Sequence, residues 1–245
     1  GPKAYASNAS IERIQDGGFL TVLDLDLTKA SDLRLLLKSG DGLSVSAIKD
    51  RMESTVSLQG HVYYPGSFSW KQGMRLSDLI SGLDQFPPGL DLDYAILSRE
   101  DPLTGELSAL LVSPGAVIAE PGSDADLTLK SRDRVMLFGQ DLPREGQLEP
   151  LLVELRSQRS FDNPSRIVEI GGSVKFPGEY PLTNSMDIRQ IIKASGGLSE
   201  SAYMGSVEIT REDLSDSELA KTEIKLTNLS DVMSQTGGGL SLQSN

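Results

Sequence analysis

Cysteine is absent from this chain. Its absence excludes disulfides, thiolate nucleophiles and cysteine-ligated zinc or iron–sulfur centres, without fixing the compartment. Histidine occurs once, at His61, so a metal or acid–base site built on several imidazoles is excluded too. Positive charge is scarce: 23 Lys and Arg face 35 Asp and Glu, a net charge of −12 with no basic cluster. Binding to nucleic acid depends on neutralising phosphates, and adsorption to an anionic membrane on juxtamembrane lysines and arginines, so neither partner is expected. No apolar run approaches the roughly 20 residues of a membrane span, and no signal peptide opens the chain. It reads as a soluble fragment of a longer protein.

What is present is glycine, proline and a repeated pattern. With 24 Gly, 12 Pro and 38% hydrophobic residues in 245, the chain is a turn-rich globular protein of two or three small domains. The stretch Val56–Ile80 returns as Val168–Ile192: Gly60, Val62, Pro65 and Met74 stand 112 residues before Gly172, Val174, Pro177 and Met186. In both copies apolar residues first alternate (Val56, Leu58, Val62, Tyr64; Val168, Ile170, Val174, Phe176), the signature of a half-buried strand. Pro65-Gly66 and Pro177-Gly178 then mark a tight reversal, with the glycines expected at positive φ. After a second short strand the spacing changes to i, i+3, i+4 in Leu76, Leu79, Ile80 and in Ile188, Ile191, Ile192, the inward stripe of a short helix.

The rest falls around these copies. Thr21–Leu27 alternates as a strand. Leu37–Leu43 leads through a Gly-Asp corner into a strand over Ser44–Ile48, and Leu129–Val135 does the same through an Arg-Asp corner into Met136–Phe138, 92 residues later. The expected organisation is α+β: tandem modules, each a small mixed sheet with one packed helix. Residues 1–48 form the back part of one module, 56–139 a complete one, 140–167 a linker, and 168–245 a module truncated at its end. The linker carries a short helix beginning near Pro150, with Leu148, Leu151, Leu152 and Leu155 as its buried stripe.

No group here resembles catalytic machinery. His61 has Ser173 in its place in the second copy, which argues for a satisfied structural histidine. The Asp-x-Asp pairs at 24/26, 91/93 and 124/126 do not continue into a calcium loop, so no metal and no cofactor are expected. Tyr64, Phe68 and Trp70 align with Phe176, Tyr180 and Leu182 and are expected in the core. Tyr63 faces the other way and is the candidate glycan contact. Arg13, Arg99 and Arg211 recur at one strand end; each is a candidate contact for an acidic sugar, or a structural arginine paired with a nearby acid.

The order strand, Pro-Gly, strand, helix, with Gly172, Val174, Pro177, Gly178, Tyr180 and Ala194–Leu198, resembles the SLBB (soluble-ligand-binding β-grasp) domain. Tandem modules of this kind look like the bacterial outer-membrane polysaccharide export proteins of the Wza type. The resemblance implies a non-enzymatic, periplasmic part of a capsule or exopolysaccharide channel. It also implies a homo-oligomeric ring in the full-length protein, polysaccharide as transported substrate, and inner-membrane export machinery as partner. The alternative is a small-molecule or glycan-binding β-grasp module. Under either reading Ile191 is a core aliphatic, and Ile191→Ala should lower stability in urea unfolding by about 2–5 kcal/mol.

Overall fold

The structure, a computed structural model, describes residues 4–15, 18–47, 54–160, 164, 166–183, 186–213 and 221–234; the side chains of 47, 211–213 and 221–223 lie outside that description. The fold is α+β, with mixed sheets and few helices. The chain divides into two compact units, Gly1–Met52 and Glu53–Asn245.

The first unit is a three-stranded antiparallel sheet of β1 (Ala4–Ile14), β2 (Leu20–Leu25) and β3 (Gly42–Ala47), in the order β2-β1-β3. Ala9 lies between Leu25 and Val45, and Ile11 between Leu23 and Leu43, so these apolar residues share a face. The strand expected over Thr21–Leu27 ends two residues early. The Asp26 N–H donates to the Asp32 carboxylate at 2.9 Å, and the Asp26 carboxylate accepts from the Thr28 N–H at 3.0 Å, turning the backbone out of the sheet. The following strand begins at Gly42, and Ile48 lies outside the described residues.

The second unit begins with a five-stranded mixed sheet of β4 (Thr55–Gly60), β5 (Gly66–Ser69), β6 (Leu90–Glu100), β7 (Leu107–Val112) and β8 (Arg134–Gly139). The strand order is β5-β4-β8-β6-β7, with β4 parallel to β8. One face is closed by Leu76, Leu79 and Ile80 together with Val117 of α1 (Pro114–Ala119). The helix expected at Leu76–Ile80 is only a single 3-10 turn, Leu76–Asp78. Its N-terminus is tied to a neighbouring loop: the Leu76 N–H bonds Leu127 O, and the buried Asp126 carboxylate takes both the Ser77 N–H and Oγ–H. Extended backbone at Gly82 then prevents continuation. The aliphatic stripe is nevertheless fully engaged in the core.

The other face of this sheet, carrying Tyr94, Ile96 and Phe138, is buried as well. It meets α2 (Glu145–Ser157), whose Leu148, Leu151, Leu152 and Leu155 face inward. This helix starts five residues before Pro150, which sits inside it rather than at its first position. The proline removes one backbone hydrogen bond, and four buried leucines at roughly 1.5–3 kcal/mol each outweigh that loss. Beyond α2 come β9 (Ile167–Ile170) and β10 (Gly178–Pro181), then α3 (Ile188–Ala194), whose Asp187 and Gln190 form a capping box. A second antiparallel pair, β11 (Val207–Asp213) and β12 (Lys221–Thr227), leads into α4 (Leu229–Ser234). Ile191 joins the core beneath α2, while Ile188 and Ile192 join Leu229 and Val232 of α4 in a third core.

Two registers agree residue for residue. In one hairpin Val56 faces Phe68 and Leu58 faces Gly66; in the other Val168 faces Tyr180 and Ile170 faces Gly178, each partner displaced by 112. In the three-stranded arrangements, Ala9 and Ile11 stand 86 residues before Ala95 and Leu97, and Leu43 and Val45 stand 92 before Val135 and Leu137. The pairings among them are the same.

The reversal itself differs from expectation. Gly66 is not at positive φ, whereas Gly178 is, at 145°. Both are first residues of their strands rather than turn centres. The chain turns earlier, at Gly60 (φ 88°) and Gly172 (φ 82°), each followed by an i→i+2 bond to Val62 or Val174 of 2.9 Å. A Cβ on Gly60 would stand 2.0 Å from Leu137 O, while one on Gly66 would meet nothing. Gly60→Ala should therefore destabilise the protein by more than about 2 kcal/mol, positive φ alone costing roughly 1–2. Gly66→Ala should stay within about 0.5 kcal/mol of the parent. Urea denaturation of the two variants measures the difference.

Candidate functional site

Arg13 and Arg99 are built into one device, twice. Arg13 Nε and Nη2 donate to the two carboxylate oxygens of Asp41 at 2.8 and 2.6 Å, and Nη2 also donates to Leu36 O at 2.9 Å. Arg99 Nε and Nη2 donate to Asp133 at 2.9 and 2.6 Å, and Nη2 to Thr128 O at 2.9 Å. Each carboxylate also accepts a backbone N–H three residues upstream, from Lys38 or Lys130. This fixes the corner leading into β3 or β8 with bidentate, charge-assisted bonds. The Arg13 hydrogen bond, supported by the Lys38 N–H, depresses the Asp41 pKa to about 2. In both arginines Nε and one terminal nitrogen are thus turned to the protein's own corner. Arg211 lies in β11, and its side chain is outside the described residues.

The aromatic hairpin loop is more open than expected. Tyr64 and Phe68, assigned to the core by alignment, are exposed, Tyr64 at 84%; Tyr63, the surface candidate, is 53% exposed. The loop leaves the sheet at Gly60, so Tyr64 no longer follows the alternation of β4. The two tyrosine rings stand 6.4 Å apart and are tilted by 51°. Trp70 does pack against the core, its Nε1–H donating to Leu129 O at 2.9 Å. His61 Nε2 lies 3.0 Å from Pro88 O, a structural contact. Among the described residues no hydrogen bond or ring contact joins Tyr63 to Arg99.

Composition and spacing did not single out Arg144, which precedes α2 and is 1% exposed. Its guanidinium donates to the Asp91 carboxylate and to Ala194 O at the end of α3, with Lys193 O a further acceptor at 3.3 Å. Three rings surround it, with centroids at 4.9 Å (Tyr94), 5.4 Å (Phe138) and 5.5 Å (Phe176). A buried charge persists only when paired, and desolvated cation–π contacts can reach about 2 kcal/mol or more. Gly196 serves the same cluster: a Cβ there would stand 2.7 Å from the Phe176 ring. Burial raises the phenol pKa of Tyr180 to about 12 and that of Tyr94 further still, so both remain neutral.

Beside this joint lies a cleft of about 150 Å³, lined by Arg144, Glu145, Lys175, Phe176, Glu179, Tyr180 and, at the start of β10, Pro177 and Gly178. Its mixture of rings, cations and carboxylates suits noncovalent recognition of a polar ligand. Lys175 is paired with Asp141 at 2.5 Å, and Glu179 with Arg156. The Asp-x-Asp pairs have structural uses, Asp91 with Arg144 and Asp126 with Ser77 and Gly122. No group of three His, Asp or Glu able to hold a metal occurs among the described residues, nor does a helix long and apolar enough to cross a membrane.

Residues 167–219, from the start of β9 to beyond the end of β11, match the SLBB domain model. SLBB is a binding-domain family associated with ligands and with polysaccharide export. A search of curated proteins returned no match to the chain.

Two outcomes follow from the charged groups. Arg144→Met strands the buried Asp91 carboxylate and should destabilise the second unit by about 3–5 kcal/mol, with Asp91→Asn in the same chain restoring part of the loss; denaturant unfolding reads both. Because the Asp41 pKa is lowered in the folded state, its contribution is complete above about pH 4 and disappears as pH falls towards 2. Hydrogen-exchange protection factors of the first unit, taken against the intrinsic exchange rate at each pH, should fall over that window, and Asp41→Asn should flatten the dependence.

Proposed function

We propose that this chain is a non-enzymatic part of a periplasmic conduit for capsule or exopolysaccharide export, built from tandem β-grasp modules. In this reading 56–139 and the segment from 168 are two copies of one module, and 1–48 is the back part of a third. The matched hairpin registers and the twice-built Arg–Asp corner support the repeat. The observation that carries the conduit is the joint. The outer face of one module's sheet is buried under the next through α2, and a buried guanidinium binds both sides. A wall assembled from stacked domains needs such a fixed orientation. Further copies forming a ring in the full-length protein, the passing polysaccharide and inner-membrane export machinery are its partners in this reading.

The cleft beside Arg144 favours a second reading, a module that binds a small molecule or glycan. Deleting the gene in its bacterium and measuring surface and released polysaccharide tests the first. Export should fall, the parent chain should restore it, and fractionation should place the protein in the periplasm. Unchanged surface polysaccharide would overturn the export reading. Saturable calorimetric binding of an oligosaccharide, lost in Lys175→Ala, would favour the second.

A further inference from the structure

Most of the charge around the cleft beside Arg144 is already matched within the protein. Arg144 gives its terminal nitrogens to Asp91, Ala194 O and Lys193 O, Lys175 Nζ lies 2.5 Å from Asp141, and Glu179 is paired with Arg156. The Tyr180 hydroxyl is committed as well, donating to Phe176 O at 2.7 Å. Two side-chain groups remain unmatched. Arg144 Nε is buried without a hydrogen-bond partner, on a residue only 1% exposed. A buried donor in that state is costly until an acceptor reaches it. Glu145 is exposed, and its carboxylate pairs with no cation among the described residues. Glu145 is also the first residue of the 13-residue helix α2, whose start has no side-chain cap. The first N–H groups of that helix, which have no intrahelical acceptor, add further donors at the cleft's edge.

We infer that the cleft takes one ring of a neutral saccharide and discriminates against charged sugars. Size, surface and charge each contribute. A volume of about 150 Å³ admits a single six-membered ring. The walls offer the rings of Phe176 and Tyr180, on which the C–H face of a sugar can lie, between polar groups that fix its orientation. A ring or hydroxyl oxygen accepts from Arg144 Nε, and hydroxyls donate to the Glu145 carboxylate in charge-assisted bonds. Charge then sets the class. Each lining cation has its own carboxylate, so Glu145 is a negative charge in excess, and a second anion would meet it without compensation. An ammonium on the Phe176 ring would instead lie beside Arg144 and Lys175, each 5.5 Å from its centroid. A neutral polyol meets neither penalty and supplies both the missing acceptor and the missing donors. The inference rests on the second reading above, a glycan-binding module, and names the class of its ligand.

The test titrates the full chain at neutral pH, by calorimetry, with methyl α-D-glucopyranoside, methyl α-D-galactopyranoside, D-glucuronate and D-glucosamine. At least one neutral glycoside should bind saturably, roughly fivefold or more tighter than either charged sugar, and should slow hydrogen exchange at Phe176, Glu179 and Tyr180. Glu145→Gln should leave the circular dichroism spectrum unchanged, weaken the neutral glycoside by about fivefold or more, and bring glucuronate closer to it in affinity. A charged sugar binding as tightly as the neutral ones would overturn the proposal. So would neutral binding that Glu145→Gln leaves unchanged, or protection elsewhere than these residues. Any of those results leaves the glycan-binding reading standing with a different ligand or site. Absence of saturable binding by all four sugars would remove that reading together with the proposal.

Discussion

A guanidinium removed from water must find its counter-charge and its acceptors inside the protein, and Arg144 finds them on both sides of a joint. Asp91 belongs to the five-stranded sheet, Ala194 and Lys193 to the end of α3, and Tyr94, Phe138 and Phe176 supply rings from both. Losing Asp91 leaves the cation stranded where solvent cannot screen it. The leucines of α2 provide apolar area, which is indifferent to orientation. Direction comes from Arg144, because a planar cation with fixed donors accepts only one arrangement of its neighbours. Gly196 and the Pro177-Gly178 pair are subordinate to that arrangement, one by letting Phe176 approach and the other by lining the adjoining cleft.

The second recurring constraint is smaller. An arginine late in one strand grips an aspartate at the corner before another, and the same aspartate collects a backbone N–H. Coming twice at equivalent positions, in differently covered sheets, the device is independent of what closes the apolar face. The corner holds in the first unit although Leu37 and Leu43 remain exposed beside it. Local charge-assisted bonds set the strand geometry, and nonlocal apolar contacts decide whether the face is finished.

Much of this was legible in the residues. Alternation and the 112-residue spacing located the start of both hairpins, although the first strands end at Gly60 and Ile170 rather than running on to Tyr64 and Phe176, and the i, i+3, i+4 aliphatics pointed inward as read. Where local reading failed, a distant partner had intervened. Leu76–Ile80 makes only one turn because Leu127 and Asp126 claim its first donors. Tyr64 and Phe68 look like core residues by alignment, yet the chain leaves the sheet at Gly60 and carries Tyr64 into solvent. Pro150 resembles a helix start, but the leucines favour helix on both sides of it.

By itself, then, the order of residues determined where the repeated hairpins begin and which of their aliphatics face inward. Periodicity and net charge are local or additive, so they survive without coordinates. Only the tertiary structure decided that Arg13 and Arg99 hold corners and that Arg144 is the joint. Each of these depends on residues brought together from 28 to 53 positions apart, which no sequence window contains.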